Sequence, residues 1–265
     1  MKVPATLKKF LYSWFGSNGY RISSLSNLQV LDEFIEKLHP IKFELIRLGS
    51  EHDGGYLVPD DLEGIRYCFS PGVSNNSDFE QELSEMGIPS FLADYSVEAP
   101  ATENKNFHFL KKFVGPITAT NYIEFQEWVE KNSGPTDELI LQMDIEGSEY
   151  SSLLSCNKEI LGRFRILIIE FHGLDLLFDS LGCRIIIDCF EKLLQDFYVV
   201  HIHPNNNDPV RRIGGYKVPS LMEFSFIRKD RVSSIEYAKQ FPNGLDRTTV
   251  ISKKDFGLPS AWFRS

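Results

Sequence analysis

In the stretch "DELILQMDIEGSEYSSLL", residues 137–154, a strongly apolar run is followed by two carboxylates. Leu139 to Met143 form the apolar run, Asp144 closes it, and Glu146 follows after one isoleucine. The run is typical of a buried strand, and the residues after the glycine are typical of a helix. An unpaired ion that is taken out of water costs several kcal/mol. These carboxylates therefore either face solvent at a strand end or hold a ligand.

Short apolar runs alternate with longer amphipathic segments on both sides of this stretch. Seven strands are predicted, at 65–70, 89–96, 106–115, 138–144, 164–172, 198–203 and 221–229. Helices are predicted between them, at 79–86, 120–132, 148–156 and 184–197. Such alternation predicts right-handed crossovers and a parallel sheet covered on both faces. Because no helical period separates the last two strands, the seventh is expected to be antiparallel. The predicted fold is an α/β, Rossmann-like three-layer sandwich with a seven-stranded, mostly parallel sheet.

A chain of 265 residues with 42% hydrophobic content is expected to bury one core. We expect a helical extension over residues 1–45, a central domain over 46–230, and a tail over 231–265 that packs on the same domain. The sequence leaves homo-oligomerisation open.

The acidic balance of the chain limits its partners and its location. A formal charge of −9 offers no broad cationic surface, so nucleic-acid binding is not expected. No run approaches the roughly 20 apolar residues of a spanning helix, and the N-terminus lacks the features of a signal peptide. We expect a cytoplasmic protein, with the apolar positions of the first helix available for contact with a membrane surface or a partner. The four cysteines predict buried, reduced thiols rather than a zinc site.

Polar residues follow the end of each predicted strand. In an open parallel sheet these positions share one rim, where ligands bind. Gly72 follows the first strand, and Asp94 follows the second after 22 further positions, near the spacing of an acidic residue that binds a ribose. The single glycine of "GVSNNSD" disfavours a dinucleotide and favours a nucleoside without phosphates. The rim residues are Ser70, Gly72, Ser74, Asp78, Asp94, Ser96, Asp144, Glu146, Glu170, His172, His201, His203 and Asn205.

Four segments occur in a fixed order along the chain: "DGGYLVP" (53–59), "FSPGVSNNSDFE" (69–80), "MDIEGSEYSSL" (143–153) and "IIEFHGL" (168–174). Together they resemble the FkbM-type S-adenosylmethionine-dependent methyltransferases over about residues 43–228. The third segment is the most specific, because D-[IV]-E-G-[AS]-E after a buried strand recurs in that family. The resemblance implies a class I methyltransferase fold for residues 46–230, with an antiparallel seventh strand. It also implies O-methylation of a hydroxyl on a sugar or glycan intermediate, as in polysaccharide biosynthesis.

The resemblance also implies where S-adenosylmethionine would bind. Ser70, Gly72 and Ser74 would hold its methionine part, with Asp78 nearby. Asp94 would bind the ribose hydroxyls, and Ser96 would lie near the adenine. The segment before the first strand would face the cofactor as well, and its contributing residues are Arg47, Asp53, Gly55 and Tyr56.

The strand ends supply residues suited to methyl transfer. A hydroxyl must lose its proton, and a placed base contributes roughly 10²–10⁴-fold. His172 is the expected base, since histidine titrates near neutral pH and this one lies two residues beyond Glu170 in an extended run. The oxygen-rich set of Asp144, Glu170 and His172, with Glu146, also suits Mg²⁺ or Mn²⁺. Hydrogen bonds that Glu146 and Glu149 accept from backbone groups at the next helix start would explain these two glutamates equally well.

The sixth strand ends in "HIHPNNN", which offers polar groups to an acceptor. His201, His203 and Asn205 are expected to bind hydroxyls of a small-molecule or glycan acceptor. Loops rich in asparagine also form for conformational reasons alone.

Two other functions remain open from the residues. One is an NAD-dependent sugar oxidoreductase, which the single-glycine loop opposes. The other is a non-catalytic nucleoside-binding module that keeps the sheet without the chemistry.

Overall fold

A computed structural model describes residues 4–20 and 22–264 of the chain. Its α-helices are α1 (Ala5–Ser17), α2 (Leu28–Lys37), α3 (Asp78–Glu85), α4 (Phe125–Asn132), α5 (Glu149–Ser155), α6 (Lys158–Leu161) and α7 (Ser180–Asp196). Its strands are β1 (Leu45–Gly49), β2 (Gly55–Pro59), β3 (Tyr67–Pro71), β4 (Ser90–Ala93), β5 (Phe107–Leu110), β6 (Phe113–Gly115), β7 (Tyr122–Glu124), β8 (Leu139–Met143), β9 (Phe164–Phe171), β10 (Phe197–Pro204), β11 (Val210–Ile213), β12 (Tyr216–Pro219) and β13 (Met222–Arg228).

Seven of these strands form one sheet in the order β10-β13-β9-β8-β3-β4-β5. Neighbours from β9 to β5 are parallel, whereas β13 runs antiparallel to both β9 and β10. The predicted seven-stranded, mostly parallel sheet with an antiparallel last strand is therefore confirmed. The chain moves outward in one direction from β3 and in the other from β8, so the strand order reverses between these two neighbours. That reversal is where an open sheet of this kind leaves a crevice.

The central strand β8 is buried along its whole length because both faces of the sheet are covered. Leu139, Leu141 and Met143 point into the larger core, which packs against α2 and α4 to α7. Ile140 points into a smaller core on the other face, formed with α3 and the hairpin β1–β2. Each such side chain contributes about 1.5–3 kcal/mol when fully buried. Both faces of the sheet are thus covered by apolar side chains, and the core on one face is larger than the core on the other.

The face that carries the smaller core also carries a row of buried polar side chains. Side chains alternate along a strand, so residues two apart share a face. Gln142 therefore lies on the same face as Ile140, and Glu170 on the same face as Ile168. The hairpin β1–β2 lies over this row, and the Gln142 amide donates a hydrogen bond to the Tyr56 hydroxyl at 3.1 Å. The polar groups are consequently enclosed next to the crevice rather than dispersed over the surface.

One strand assignment and one helix assignment from the sequence are wrong. The stretch 106–115 is not one strand, because the backbone turns at Lys112 and separates β5 from β6. The helix predicted at 120–132 begins only at Phe125, since β7 occupies residues 122–124 and pairs in parallel with β6. The hairpins β1–β2 and β11–β12 were not predicted, because short two-stranded ribbons have no long apolar period.

The terminal segments differ in how they contact the sheet domain. Helix α2 buries Leu31, Phe34 and Ile35 in the larger core, whereas α1 buries no residue. In the C-terminal segment Trp262 is fully buried. All four cysteines are free and buried, as predicted. None of the described helices combines the length and apolar character needed to cross a membrane.

Candidate functional site

The carboxyl ends of β3, β4 and β8 enclose a crevice made of two adjoining cavities. The inner cavity, of about 70 Å³, lies under the β1–β2 hairpin, and the outer one, of about 430 Å³, opens between β4 and α5. Gly72, Ser74 and Asp144 line both. The other inner residues are Asp53, Gly54, Tyr56, Val73, Asn76, Phe79, Glu80 and Gln142. The other outer residues are Ala93, Asp94, Ser96, Phe113, Val114, Tyr122, Ile145, Glu146 and Ser148.

Gly72 allows the loops after β3 and β8 to meet at the floor of the crevice. Its φ is +89°, and a Cβ at this position would lie 1.6 Å from the carbonyl oxygen of Asp144. Ser74 also adopts a positive φ, of 45°, which is uncommon for a residue other than glycine. The single glycine of this loop is therefore required by close backbone packing, and Ser74 completes the turn without a second glycine.

Asp94 links the ends of β3 and β4 through both oxygens of its carboxylate. Oδ2 accepts a hydrogen bond from the Ser74 amide at 2.9 Å. Oδ1 accepts from the Ser96 amide and from the Ser96 hydroxyl, both at 2.7 Å. The side chain is buried, yet it lines the outer cavity. Because a carboxylate offers about four lone-pair sites, it can accept additional hydrogen bonds from a ligand.

A buried hydrogen-bond chain forms the back of the inner cavity. The Ser70 hydroxyl lies within hydrogen-bond distance of Glu80 Oε1 and, at 2.7 Å, of Gln142 Oε1. Burial raises the pKa of Glu80 to about 7. One hydroxyl proton cannot serve two acceptors, so a protonated Glu80 completes the chain by donating to Ser70. Ser70 then donates to Gln142, and Gln142 donates to Tyr56.

His172, just beyond the end of β9, is surrounded by four carboxylates. Its Nδ1 lies 3.1 Å from Oε1 of the fully buried Glu149, which also accepts the backbone amides of Ile145 and Gly147 at 3.0 and 3.2 Å. Its Nε2 faces Glu146 Oε2 at 3.4 Å. It also faces Asp144 Oδ1 at 3.8 Å and Glu170 Oε1 at 3.9 Å. Glu149 thus fixes the ring, while Nε2 faces Asp144 and Glu146, which line the crevice.

The surroundings of His172 shift the pKa of each neighbour. Burial raises the pKa of Asp144 to about 7, against the charge of His172. Burial and the charge of Asp144 raise the pKa of Glu170 well above its ordinary value. For His172, burial disfavours the charged ring, but the hydrogen bond with Glu149 and the nearby carboxylates outweigh it and raise the pKa. A proton is therefore held readily at this histidine.

The same groups fit a divalent cation. Oxygens of Asp144, Glu146 and Glu170 lie 3.4 to 3.9 Å from His172 Nε2. The buried Asp144 Oδ1 lacks a hydrogen-bond partner in the part of the chain that the structure describes. Since Nδ1 already faces Glu149, a cation would be bound at Nε2, the nitrogen that faces Asp144, Glu146 and Glu170. Glu149 would then orient the ring as an outer carboxylate does in many metal sites.

The structure brings most of the predicted cofactor residues together. Those that line the crevice are Asp53, Tyr56, Gly72, Ser74, Asp94 and Ser96. Ser70 lies directly behind it.

Three predicted cofactor residues have other positions. The Arg47 guanidinium donates to the carbonyls of Ser50 and His52 at 2.9 and 3.3 Å, so it holds the β1–β2 turn instead of facing the crevice. Gly55 packs against the same turn, where a Cβ would lie 1.9 Å from the carbonyl oxygen of Ser50. Asp78 is exposed at the start of α3. The described residues that line the crevice include neither Gly55 nor Asp78.

The predicted acceptor residues at the end of β10 are occupied by other contacts. His201 and His203 both face Asp246, in the C-terminal segment. Only Asn205 contacts the central cluster, through its amide at 3.3 and 3.4 Å from the two oxygens of Glu170. The chain folds back and supplies its own carboxylate to both histidines, and the expectation that they bind an acceptor stays a prediction.

Several site residues were not predicted from the sequence. Gln142 interrupts an otherwise apolar strand, and this could have indicated a polar pocket on one face. Glu80 and Glu149 belong to helical patterns in which a glutamate normally faces solvent. Phe113 and Tyr122 meet only because β6 pairs with β7, with ring centroids 5.4 Å apart.

No family model matches this chain, and no curated protein matches it either. The function has to be inferred from the residues of the crevice.

Proposed function

We propose that the protein is an S-adenosylmethionine-dependent O-methyltransferase with a class I methyltransferase fold, and that its acceptor is a hydroxyl of a sugar or glycan intermediate. The resemblance of four sequence segments to FkbM-type enzymes and the crevice at the strand-order reversal support this proposal. The acceptor class rests on the resemblance alone.

The charge of the crevice is the observation that carries the proposal. Five carboxyl side chains line the two cavities: Asp53, Glu80, Asp94, Asp144 and Glu146. Among the described lining residues there is no lysine, arginine or histidine. Glu80 and Asp94 have partners within the chain, but the buried Asp144 Oδ1 lacks one among the described residues. A buried carboxylate oxygen without a partner is costly, so this crevice favours a cationic ligand. S-adenosylmethionine carries a sulfonium and an ammonium group, whereas the pyrophosphate of NAD would meet carboxylates without a compensating cation.

The shape of the crevice is compatible with this ligand. The inner cavity, with its hydrogen-bond chain behind it, would receive the methionine end. Asp94 would accept hydrogen bonds from the ribose hydroxyls. Phe113 and Tyr122, both partly exposed at the outer rim, offer ring faces to an adenine. The sulfonium would then lie between the two cavities, next to Asp144.

His172 would act as the base of the transfer. The acceptor oxygen attacks the methyl carbon, the carbon–sulfur bond breaks, and the hydroxyl proton passes to Nε2 of His172. Glu149 accepts the Nδ1 proton and leaves the Nε2 lone pair free for this step. Alignment of oxygen, carbon and sulfur supplies about 7–11 kcal/mol, and the base adds about 3–5 kcal/mol.

A divalent cation, Mg²⁺ or Mn²⁺, would give His172 a different role. Bound by His172 Nε2 with Asp144 and Glu170, it would lower the pKa of a coordinated hydroxyl. Nε2 has one lone pair, so it cannot hold a cation and accept the proton at once. Activity that survives exhaustive chelation favours the base, and activity lost on chelation and restored by Mg²⁺ favours the cation.

Ligand binding separates the candidate functions. S-adenosylhomocysteine, the demethylated product, should raise the melting temperature, and NAD should not. Asp94→Asn should weaken the binding of S-adenosylhomocysteine by roughly 10–100-fold, because it removes charge-assisted hydrogen bonds. The matched control is Asp78→Asn, an exposed aspartate outside the crevice, which should leave the dissociation constant unchanged.

Isothermal titration calorimetry measures both variants. Protection by NAD alone would support the oxidoreductase, and an unchanged dissociation constant in Asp94→Asn would refute the ribose assignment. Binding of S-adenosylhomocysteine without transfer of labelled methyl groups to any glycan or nucleotide-sugar would support the non-catalytic module.

A further inference from the structure

A second cluster of metal-ligating side chains lies at the end of β10, apart from the crevice. His201 and His203 occupy alternate positions and therefore share a face of the strand, beyond the irregularity after Val199. Asp246 reaches them from the C-terminal segment, 43 residues after His203. The Asp246 side chain is only 6% exposed, and His201 only 3%. Two imidazoles and one carboxylate are thus enclosed together.

Three ligand atoms of this cluster converge on one point. His201 Nε2 lies 2.8 Å from Asp246 Oδ1, and His203 Nδ1 lies 3.4 Å from the same oxygen. All three atoms lie within 4.8 Å of one another. The ligands of a tetrahedral zinc ion, at about 2.0–2.1 Å from the metal, are separated by about 3.3 Å. Small adjustments would therefore place an ion between these atoms.

We propose that His201, His203 and Asp246 bind a divalent transition metal of the Zn²⁺ class, which fastens the C-terminal segment to the edge of the sheet. Imidazole ligands favour Zn²⁺ over Mg²⁺ or Ca²⁺, which prefer oxygen. This site does not depend on the proposed methyl transfer and shares no residue with the crevice.

The surroundings of the cluster leave one coordination position accessible. A cavity of about 250 Å³ is lined by His203 and Asp246 together with Thr248 and Asp255. A water or a small anion could complete the coordination from there. Glu223, the cross-strand neighbour of His203, is buried beside the cluster, and burial raises its pKa to about 7. Arg247 also lines this cavity, so the two imidazoles and the Asp246 carboxylate, rather than the net charge, are what would select a metal ion.

The alternative is a hydrogen-bonded tether without metal. Asp246 Oδ1 would then accept from both imidazoles, while its Oδ2 accepts the Asn243 amide at 2.6 Å. Both arrangements hold the C-terminal segment, so stability alone does not distinguish them. Dependence on added metal does.

The test uses the full chain after removal of metal by a chelator and dialysis. Titration with Zn²⁺ should show a site whose occupancy raises the melting temperature by roughly 5–10 °C at a hundredfold excess over the dissociation constant. Substitution with Co²⁺ should give the visible absorption of a four-coordinate site. In His203→Gln and Asp246→Asn, zinc affinity should fall by about 100-fold or more, since a ligand is lost.

The matched control is His172→Gln, which changes the other histidine and carboxylate cluster. It should keep the Zn²⁺-dependent rise in melting temperature. The proposal is overturned if the wild-type chain binds no Zn²⁺, or if binding persists in His203→Gln and is lost in His172→Gln. Because glutamine at position 203 can still hydrogen-bond to Asp246, this variant keeps the test valid even where Asp246→Asn fails to fold.

Discussion

The two histidine clusters of this protein use the same residue types in opposite ways. At His172, one ring nitrogen is held by Glu149 at 3.1 Å, and the other faces three carboxylates at 3.4 to 3.9 Å. At the end of β10, two imidazoles face a single oxygen of Asp246 at 2.8 and 3.4 Å. In the first cluster one ring nitrogen faces several carboxylates, and in the second both rings face one carboxylate from the C-terminal segment.

This difference indicates a different role for each cluster. Every carboxylate around His172 comes from the ends of β8 and β9 or the start of α5, all parts of the central sheet. Burial, with the charges of Glu146 and Glu149, raises the pKa of Asp144 to about 7 against the charge of His172. Asp246 has the reverse environment, because hydrogen bonds from His201 and His203 outweigh its burial and lower its pKa. The His172 cluster is suited to proton transfer at the crevice, and the cluster of His201, His203 and Asp246 to holding a remote segment of the chain.

The largest expected effect is on turnover and comes from His172→Ala. Loss of the base should lower turnover by roughly 10²–10⁴-fold, or about 3–5 kcal/mol in the barrier, with cofactor affinity nearly unchanged. Transfer of labelled methyl groups and calorimetry measure the two quantities. The matched control His108→Ala removes an exposed histidine of β5 and should leave turnover as it is. Unaltered turnover in His172→Ala would contradict the role of His172 as the base, and the two clusters would then not differ in function.

A smaller effect is expected at Glu80, a buried carboxyl group that has no histidine partner. Its pKa of about 7 in the folded state, against 4.5 ordinarily, means that its contribution to stability is complete below pH 4.5 and is lost as the pH rises through about 7. At pH 8 the loss is on the order of 3 kcal/mol. Glu80→Gln should therefore be more stable than the wild type at pH 8 and similar to it at pH 4.5.

Denaturant unfolding at the two pH values measures this difference. The control is Glu85→Gln, an exposed glutamate of the same helix, which should have the stability of the wild type at both pH values. Equal stability of Glu80→Gln and wild type at pH 8 would contradict the assignment of a neutral Glu80.

Asp246 has a lowered pKa, so its contribution to stability has the opposite pH dependence. The contribution is present above pH 3.8 and is lost as the pH falls further.

The smallest expected effect is a displacement of the pH profile by Glu149→Gln. Glutamine can still accept the amides of Ile145 and Gly147, but it removes the charge that helps to raise the pKa of His172. A base must be neutral to accept a proton, so activity should be lost as the pH falls through the pKa of His172. In Glu149→Gln this acid limb of kcat/KM should move to lower pH. Glu159→Gln, on the exposed side of α6, serves as the control, and an acid limb that does not move would mean that another group titrates.

The sheet was predictable because its signals are local. The apolar run of β8, the run of β9 and the alternating pattern of β13 each identify a strand, and the helical segments between them dictate parallel crossovers. The carboxyl ends of parallel strands share one edge, so Asp94, Asp144 and His172 could be placed on one rim without coordinates. Pairing of short strands was not predictable, and β6 with β7 is the example, because three residues carry too little pattern.

Sequence patterns did not predict which groups each polar side chain contacts. Arg47 was expected at the cofactor and instead holds its own turn, since a guanidinium bonds to whichever carbonyls the backbone brings near. Glu149 could be recognised at a helix start, but only the distance to His172 identifies it as the group that orients the ring.

By itself, the sequence determined the central sheet, the order of its strand ends and the residue types gathered at the rim, because hydrophobic periodicity and the alternation of strands and helices are properties of neighbouring residues. Only the tertiary structure decided which nitrogen of His172 is held, and that His201 and His203 face Asp246. The physical reason is that the closest charge to a side chain is set by how distant segments pack, and the separation of 43 positions between His203 and Asp246 leaves no periodic signal of that contact.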